Sequence, residues 1–149
     1  MNKVFFGDCR GSMRKLIVDG VKVQTCVTSP PYWGLRDYGH EGQLGMESTP
    51  EEYTANMVEV FSLVRELLHD DGTLWLNLGD SYSSGGRTSQ VAPTLRTKGK
   101  DPTSGKHEYL NNFAVRPGAV AGIKEKDLIG IPWRVAFALQ KDGWYLRQD

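Results

Sequence analysis

Val23-Gln24-Thr25-Cys26-Val27-Thr28-Ser29-Pro30-Pro31-Tyr32-Trp33 is the stretch on which the reading of the chain turns. Val23, Thr25 and Val27 alternate with Gln24 and Cys26, and the β-branching predicts a strand over Val21 to Val27. Two prolines come directly after Ser29. Each fixes φ and removes an N–H donor, so the chain can neither stay in a sheet ladder nor enter a helix interior. The segment therefore leaves the sheet stiffly, holding a small polar side chain, Ser29, and two rings, Tyr32 and Trp33, in preset directions. Open α/β sheets build their sites this way, at the carboxyl ends of strands.

Working outward, the chain predicts strands and helices in alternation. Upstream, Lys3 to Phe6 reads as a strand ending in the turn Gly7-Asp8-Cys9, and Ser12 reads as the cap of a short helix that Gly20 ends. Downstream, a glycine-bearing loop from Gly34 to Gly45 carries Arg36, Asp37 and Tyr38. Thr49-Pro50-Glu51-Glu52 starts a helix, with Thr as N-cap, Pro at N1 and Glu at N3. Tyr53, Met57, Val60, Phe61, Val64, Leu67 and Leu68 then recur at helical spacing and form a core stripe, and Asp71-Gly72 reads as the stop. Thr73 to Leu78 is a buried strand that ends at Gly79-Asp80. Pro132 opens a helix through Gln140, Gly143 stops it, and Trp144 to Leu146 begins a strand. The expected order is β-α-β-site-α-β-loop-α-β, which implies a parallel sheet with right-handed crossovers. Asp8 and Asp80 then share the sheet edge of Ser29 and become candidates for ligand contact. A turn aspartate bonding its own backbone is the competing reading for Asp80.

The length of 149 residues suits one domain. Residues 83–126 break the pattern: Gly, Ser, Thr, Pro and Lys dominate, and apolar periodicity vanishes, so the sequence predicts a flexible basic insertion loop. Formal net charge is zero, but residues 1–80 hold 7 basic and 12 acidic side chains, and residues 81–126 hold 8 basic and 3 acidic. A locally basic segment suits a polyanion; a solvated loop is the plainer reading. Cys9 and Cys26 form no C-x-x-C pair, and His40, His69 and His107 lack ligand spacing, so a metal is not expected. Cys26 reads as a small core residue. With no leader or membrane-length apolar run in the sequence, a cytoplasmic location and no membrane partner are expected.

Thr28-Ser29-Pro30-Pro31-Tyr32-Trp33 resembles the (Asp/Asn/Ser)-Pro-Pro-aromatic motif of the DNA amino-methyltransferases. Phe6-Gly7-Asp8-Cys9, the run Leu74 to Tyr82, and Leu128 to Arg134 with Asp142-Gly143-Trp144 are similar to further blocks of that family. They stand in the order of its permuted β-type members, where the catalytic half precedes the cofactor half. The resemblance implies a partial Rossmann-like class I methyltransferase sheet, mostly parallel, with helices on both faces. It implies S-adenosylmethionine as cofactor, DNA as partner, and methyl transfer to an exocyclic base amine. Ser with a following Trp goes with cytosine N4 more than adenine N6.

Chemistry supports this. An exocyclic amine is a poor nucleophile because its lone pair is delocalised into the ring. Ser29 Oγ and the Pro30 carbonyl suit acceptance of its two protons, preorganised by the stiff prolines. Tyr32 suits stacking on an extruded base. Ser29 as a mere strand-end turn residue is the competing reading. Methylation at cytosine C5 needs a cysteine nucleophile, normally in a Pro-Cys pair, and the chain has none. By resemblance Asp8, with Cys9 beside it, faces the cofactor, although Asp8 equally suits a helix cap. Trp33 and Arg36 are assigned to DNA, Arg36 against an ion pair with Asp37 or Glu41. Lys98, Lys100, Lys106 and Arg116 suit the DNA backbone.

The family pattern breaks at one point: the chain has no Phe-x-Gly-x-Gly loop after these blocks. The expectation is a single, incomplete catalytic domain over 1–149, either part of a longer protein, the product of an interrupted gene, or one half completed by a second chain. A non-catalytic remnant that binds nucleic acid is the alternative from another class. An RNA or protein-glutamine methyltransferase is a third, disfavoured because those motifs usually begin with Asn.

Overall fold

The computed structural model describes residues 2–84 and 118–148. Its elements, in order, are α1 (Cys9–Val18), β1 (Val23–Thr28), α2 (Pro50–Leu67), β2 (Leu68–Leu76) and α3 (Ile131–Lys141). The strands β1 and β2 are parallel neighbours, in register from Thr25↔Thr73 to Thr28↔Leu76. The ladder runs one step further, where Asn77 N–H donates to the Thr28 carbonyl at 3.0 Å. This brings the start of Ser29-Pro30-Pro31 alongside Asn77-Leu78-Gly79.

The helix α2 forms for the reasons written in its first turn. Thr49 Oγ1 accepts from Glu52 N–H at 3.1 Å, Pro50 takes the first position, and the Glu52 carboxylate reaches back to Ser48 N–H at 3.0 Å. All seven stripe residues from Tyr53 to Leu68 are buried. Five of them, Tyr53, Met57, Phe61, Val64 and Leu68, form one cluster with Ile129, Ile131, Val135 and Leu139 from α3 and its approach, against which partly buried Met13, Cys26, Leu74 and Leu76 pack. The helix α2 is thus the centre, with both α1 and α3 packed against it. Asp142 locks α2 to α3: its carboxylate pairs with Arg65 at 3.0 Å and accepts from Ser62 Oγ at 3.0 Å.

Several sequence expectations need correction. The first helix starts a turn earlier than Ser12, because Asp8 caps it, while its end at Gly20 is as read: Gly20 N–H reaches Ile17 O and Val21 N–H reaches Leu16 O. The helix α2 stops at Leu67, before Asp71-Gly72, and β2 begins at the next residue. Neither Lys3–Phe6 nor Trp144–Leu146 is a strand. At the second place the reason is explicit. Trp144 N–H is bonded back to the Leu139 carbonyl at 3.1 Å, with Gly143 at φ 104, so Asp142-Gly143-Trp144 is a helix cap that turns the chain away from extended pairing. Nor do helices lie on both faces among the described residues. Cys26, Leu74 and Leu76 face the helices, while Val27 and Trp75, paired across the strands, stand 76% and 60% exposed on the other face. Among the described residues no helix is long and apolar enough to cross a membrane.

Candidate active site

Pro30 and Pro31 carry the chain out of β1 as an irregular segment, with the turn following at Trp33–Leu35, and hydrogen bonds from α2 and the neighbouring loop hold this segment in place. Tyr53, in the first turn of α2 and fully buried, donates from Oη to the Pro31 carbonyl at 2.9 Å. Burial, with the charge of Glu47 and then Tyr32 nearby, raises the pKa of that phenol, so it stays a donor. Trp33 Nε1 donates to the Glu47 carbonyl at 2.9 Å. Glu47 is held in turn: its carboxylate accepts from Gly45 N–H at 2.8 Å and from Asn56 Nδ2 at 2.8 Å. Gly34 N–H closes the loop onto the Gly45 carbonyl at 2.8 Å. Gly45 must be glycine, since its φ is +94 and a Cβ there would lie 2.9 Å from the Tyr32 carbonyl oxygen.

The end of β2 supplies the other wall. A Cβ on Gly79 would stand 2.7 Å from Cδ2 and Cε2 of Tyr32, so the Tyr32 ring edge lies directly on the Gly79 backbone. Ser81 Oγ donates to the Trp33 carbonyl at 3.4 Å. Ser29 Oγ donates to Tyr32 Oη at 3.1 Å. The carbonyls of Pro31, Tyr32 and Trp33 therefore all accept hydrogen bonds, from Tyr53, Leu35 and Ser81. The Pro30 carbonyl accepts none among the described residues. It lies next to exposed Ser29, and Tyr32 is half-buried.

Asp80 is not free for a ligand. Its carboxylate accepts from Gly130 N–H at 3.0 Å, Ile131 N–H at 3.1 Å and Ser81 N–H at 2.8 Å. Gly130, at φ 77, has no side chain to cap α3, and Asp80 performs that role from across the fold. Beyond it, buried Ser83 pairs with the far end of the insertion: its N–H meets the Asp127 carbonyl at 2.9 Å and its carbonyl takes Lys126 N–H at 2.7 Å.

Asp8 is likewise engaged. It caps α1 through Arg10 N–H at 2.7 Å and pairs with the Arg10 guanidinium at 2.9 Å. That hydrogen bonding lowers its pKa, and the same pair, with Glu59 at 3.1 Å, raises that of Arg10. Cys9, the first residue of α1, is exposed. Arg10 does reach the loop after the motif, where it lines an open cleft of about 410 Å³ with Asp37, His40 and Gln43.

The chain from β1 onward, residues 23–149, matches the model of a family described as DNA methylase. The chain belongs to that family of DNA amino-methyltransferases. It is 50% identical over 147 residues to the type II methyltransferase M.SmaI of Serratia marcescens, a match covering 99% of this chain and 46% of that protein. It is 49% identical over 146 residues to M.Cfr9I of Citrobacter freundii, covering 98% and 44%, and 36% identical over 144 residues to M.SfiI of Streptomyces fimbriatus, covering 97% and 28%. The chain thus spans less than half the length of these relatives. No solved structure matches it.

Within this chain the predicted site residues separate. Ser29, Pro30 and Tyr32 come together at the ends of β1 and β2. Trp33 is 5% exposed, and its indole N–H is taken by the Glu47 carbonyl, so it anchors the motif to the core. Arg36 lies on the exposed loop and forms no ion pair with Asp37 or Glu41; Asp37 bonds Gly39 N–H instead. Lys98, Lys100, Lys106 and Arg116 lie outside the described residues. Sequence reading missed Tyr53, Glu47, Asn56 and Gly79 as supports of the motif. Tyr53 alone carried a signal: a tyrosine on a core stripe needs a partner for its hydroxyl.

Proposed function

We propose that this chain is the base-binding part of a DNA methyltransferase of the permuted β type. It acts on an exocyclic base amine, cytosine N4 in preference to adenine N6, within a Rossmann-like class I sheet to which α1–β1–α2–β2–α3 contribute. The observation that carries this reading is the selective opening at the motif. Three successive carbonyls, those of Pro31, Tyr32 and Trp33, are engaged, while the Pro30 carbonyl and the lone pairs of Ser29 are left to accept. Two acceptors on a proline-stiffened segment, beside a half-buried ring, suit an amine with two protons and a base to stack. No strong base is needed at Ser29, since the amine can lose its proton after transfer.

For S-adenosylmethionine, the donor on the family's chemistry, the two expected contacts do not form a pocket among the described residues. Asp8, the expected contact, is engaged by Arg10 and by the α1 N-terminus, and Cys9 lies beside it on the exposed surface. This chain accounts for the acceptor side of the reaction. The donor side is assigned to the length that the relatives possess outside the match. Arg36 and the lysines of the insertion remain proposed phosphate contacts.

The test is transfer of labelled methyl to DNA by this chain with the complementary part of a relative, wild type against Ser29→Ala. The expected result is a loss of about 10²-fold or more in transfer, with donor binding unchanged. Equal losses in both would refute the role of Ser29. Saturable micromolar binding of labelled S-adenosylmethionine to the 149-residue chain alone would overturn the assignment of the donor side elsewhere.

A further inference from the structure

The Pro30-Pro31 segment brings two hydroxyls together: Ser29 Oγ and Tyr32 Oη lie 3.1 Å apart, and the contact geometry assigns Ser29 as donor. A serine hydroxyl has one proton and two lone pairs, and it turns to suit whatever it meets. Left free, it accepts from an amino group or donates to a keto group with equal ease. Here its proton is directed at a tyrosine that has little room to move. The Tyr32 ring edge rests on Gly79, and its own backbone comes after two prolines, the second tied to Tyr53. Ser29 is left with acceptor capacity, next to a Pro30 carbonyl that accepts only.

We infer that the Tyr32 hydroxyl makes Ser29 a one-way acceptor, so that the motif selects bases bearing an amino group over bases bearing a keto group at the same ring position. This rests on the reading of Ser29 and Pro30 as amine acceptors. It gives Tyr32 a second role besides stacking. The ring captures a base of any kind, since every base has a π-face, and the hydroxyl, acting through Ser29, sets which ring edge is tolerated. A keto oxygen placed against two acceptors meets no donor and loses the hydrogen bonds it had in water.

The experiment compares single-stranded oligonucleotides binding to the 149-residue chain by fluorescence anisotropy: oligo-dC against oligo-dU, and oligo-dA against the hypoxanthine oligomer. Within each pair the phosphates are identical, so the affinity ratio isolates the base edge. Wild type should prefer the amino member of at least one pair by about five- to tenfold. Tyr32→Phe keeps the ring and should tighten the keto member relative to the amino one, because Ser29 regains a free proton. Tightening toward the wrong base is the decisive sign, as a merely structural loss weakens both. Unchanged preference in Tyr32→Phe, or equal weakening of both members, overturns the inference and leaves Ser29 intact as an acceptor. No amino preference in wild type, no binding at all, or a preference that survives Ser29→Ala overturns the acceptor reading itself, and this inference with it.

Discussion

The ends of β1 and β2 lie side by side on one sheet edge, and they are built to opposite purposes. Ser29, after β1, makes one hydrogen bond, to Tyr32, and is exposed; the neighbouring Pro30 carbonyl makes none among the described residues. Asp80, after β2, is committed to three backbone N–H groups and holds the start of α3. Topology alone treats the two as equals, since both are polar residues at the carboxyl end of a parallel strand. Hydrogen-bond satisfaction separates them: a polar group already matched is structural, and one left open on a stiff segment is available for chemistry.

The sharpest way to break this contrast is to exchange the consequences. Ser29→Ala should remove about 10²-fold of labelled-methyl transfer to DNA and leave the urea midpoint of the chain unchanged. Asp80→Ala should do the reverse in kind: a loss on the order of 2–3 kcal/mol in folding stability by urea titration, as the N–H groups of Gly130 and Ile131 lose a charged acceptor. If Asp80→Ala melts like wild type and Ser29→Ala does not, the division between the two strand ends is wrong. Gly79→Ala tests the point where they touch. A methyl group 2.7 Å from the Tyr32 ring should cost about 1–2 kcal/mol and displace the ring, read as a weaker base-stacking signal from a 2-aminopurine oligonucleotide. Asp8→Ala is the smallest, about 1 kcal/mol of helix capping. Its pH dependence has a definite sign. The folded-state pKa of Asp8 lies below the ordinary value of 3.8, so its contribution is present above that value and is lost as pH falls through the lower one. A urea midpoint tracked from about pH 5 to pH 2 should therefore decline less steeply in Asp8→Ala than in wild type.

The same distinction explains how much of the molecule is legible in its sequence. The start and the buried stripe of α2 are legible to the residue, though not its end, because its cap, its proline and its stripe are local signals with one physical solution. The helix boundaries marked by Gly20 and Gly143 are legible for the same reason. The segments Lys3–Phe6 and Trp144–Leu146 read as strands and are not, because a strand, unlike a helix, needs a partner supplied from elsewhere. Trp144 illustrates this: apolar and after a glycine, it fits a strand start, yet its N–H is bonded to the Leu139 carbonyl.

By itself, the sequence determined the stiff exit from β1, the identity of Ser29, Pro30 and Tyr32, and through them the family. Proline restricts the backbone whatever surrounds it, and a motif of restricted residues carries its geometry with it. Only the tertiary structure decided which polar groups stay open. It turned Trp33 inward, engaged Asp8 with Arg10 and Asp80 with α3, placed Tyr53 on the Pro31 carbonyl, and set Tyr32 between Gly79 and Ser29. Availability for chemistry depends on partners from 2 positions away, as for Asp8 and Arg10, to 51, as for Asp80 and Ile131, and no local pattern records the distant ones.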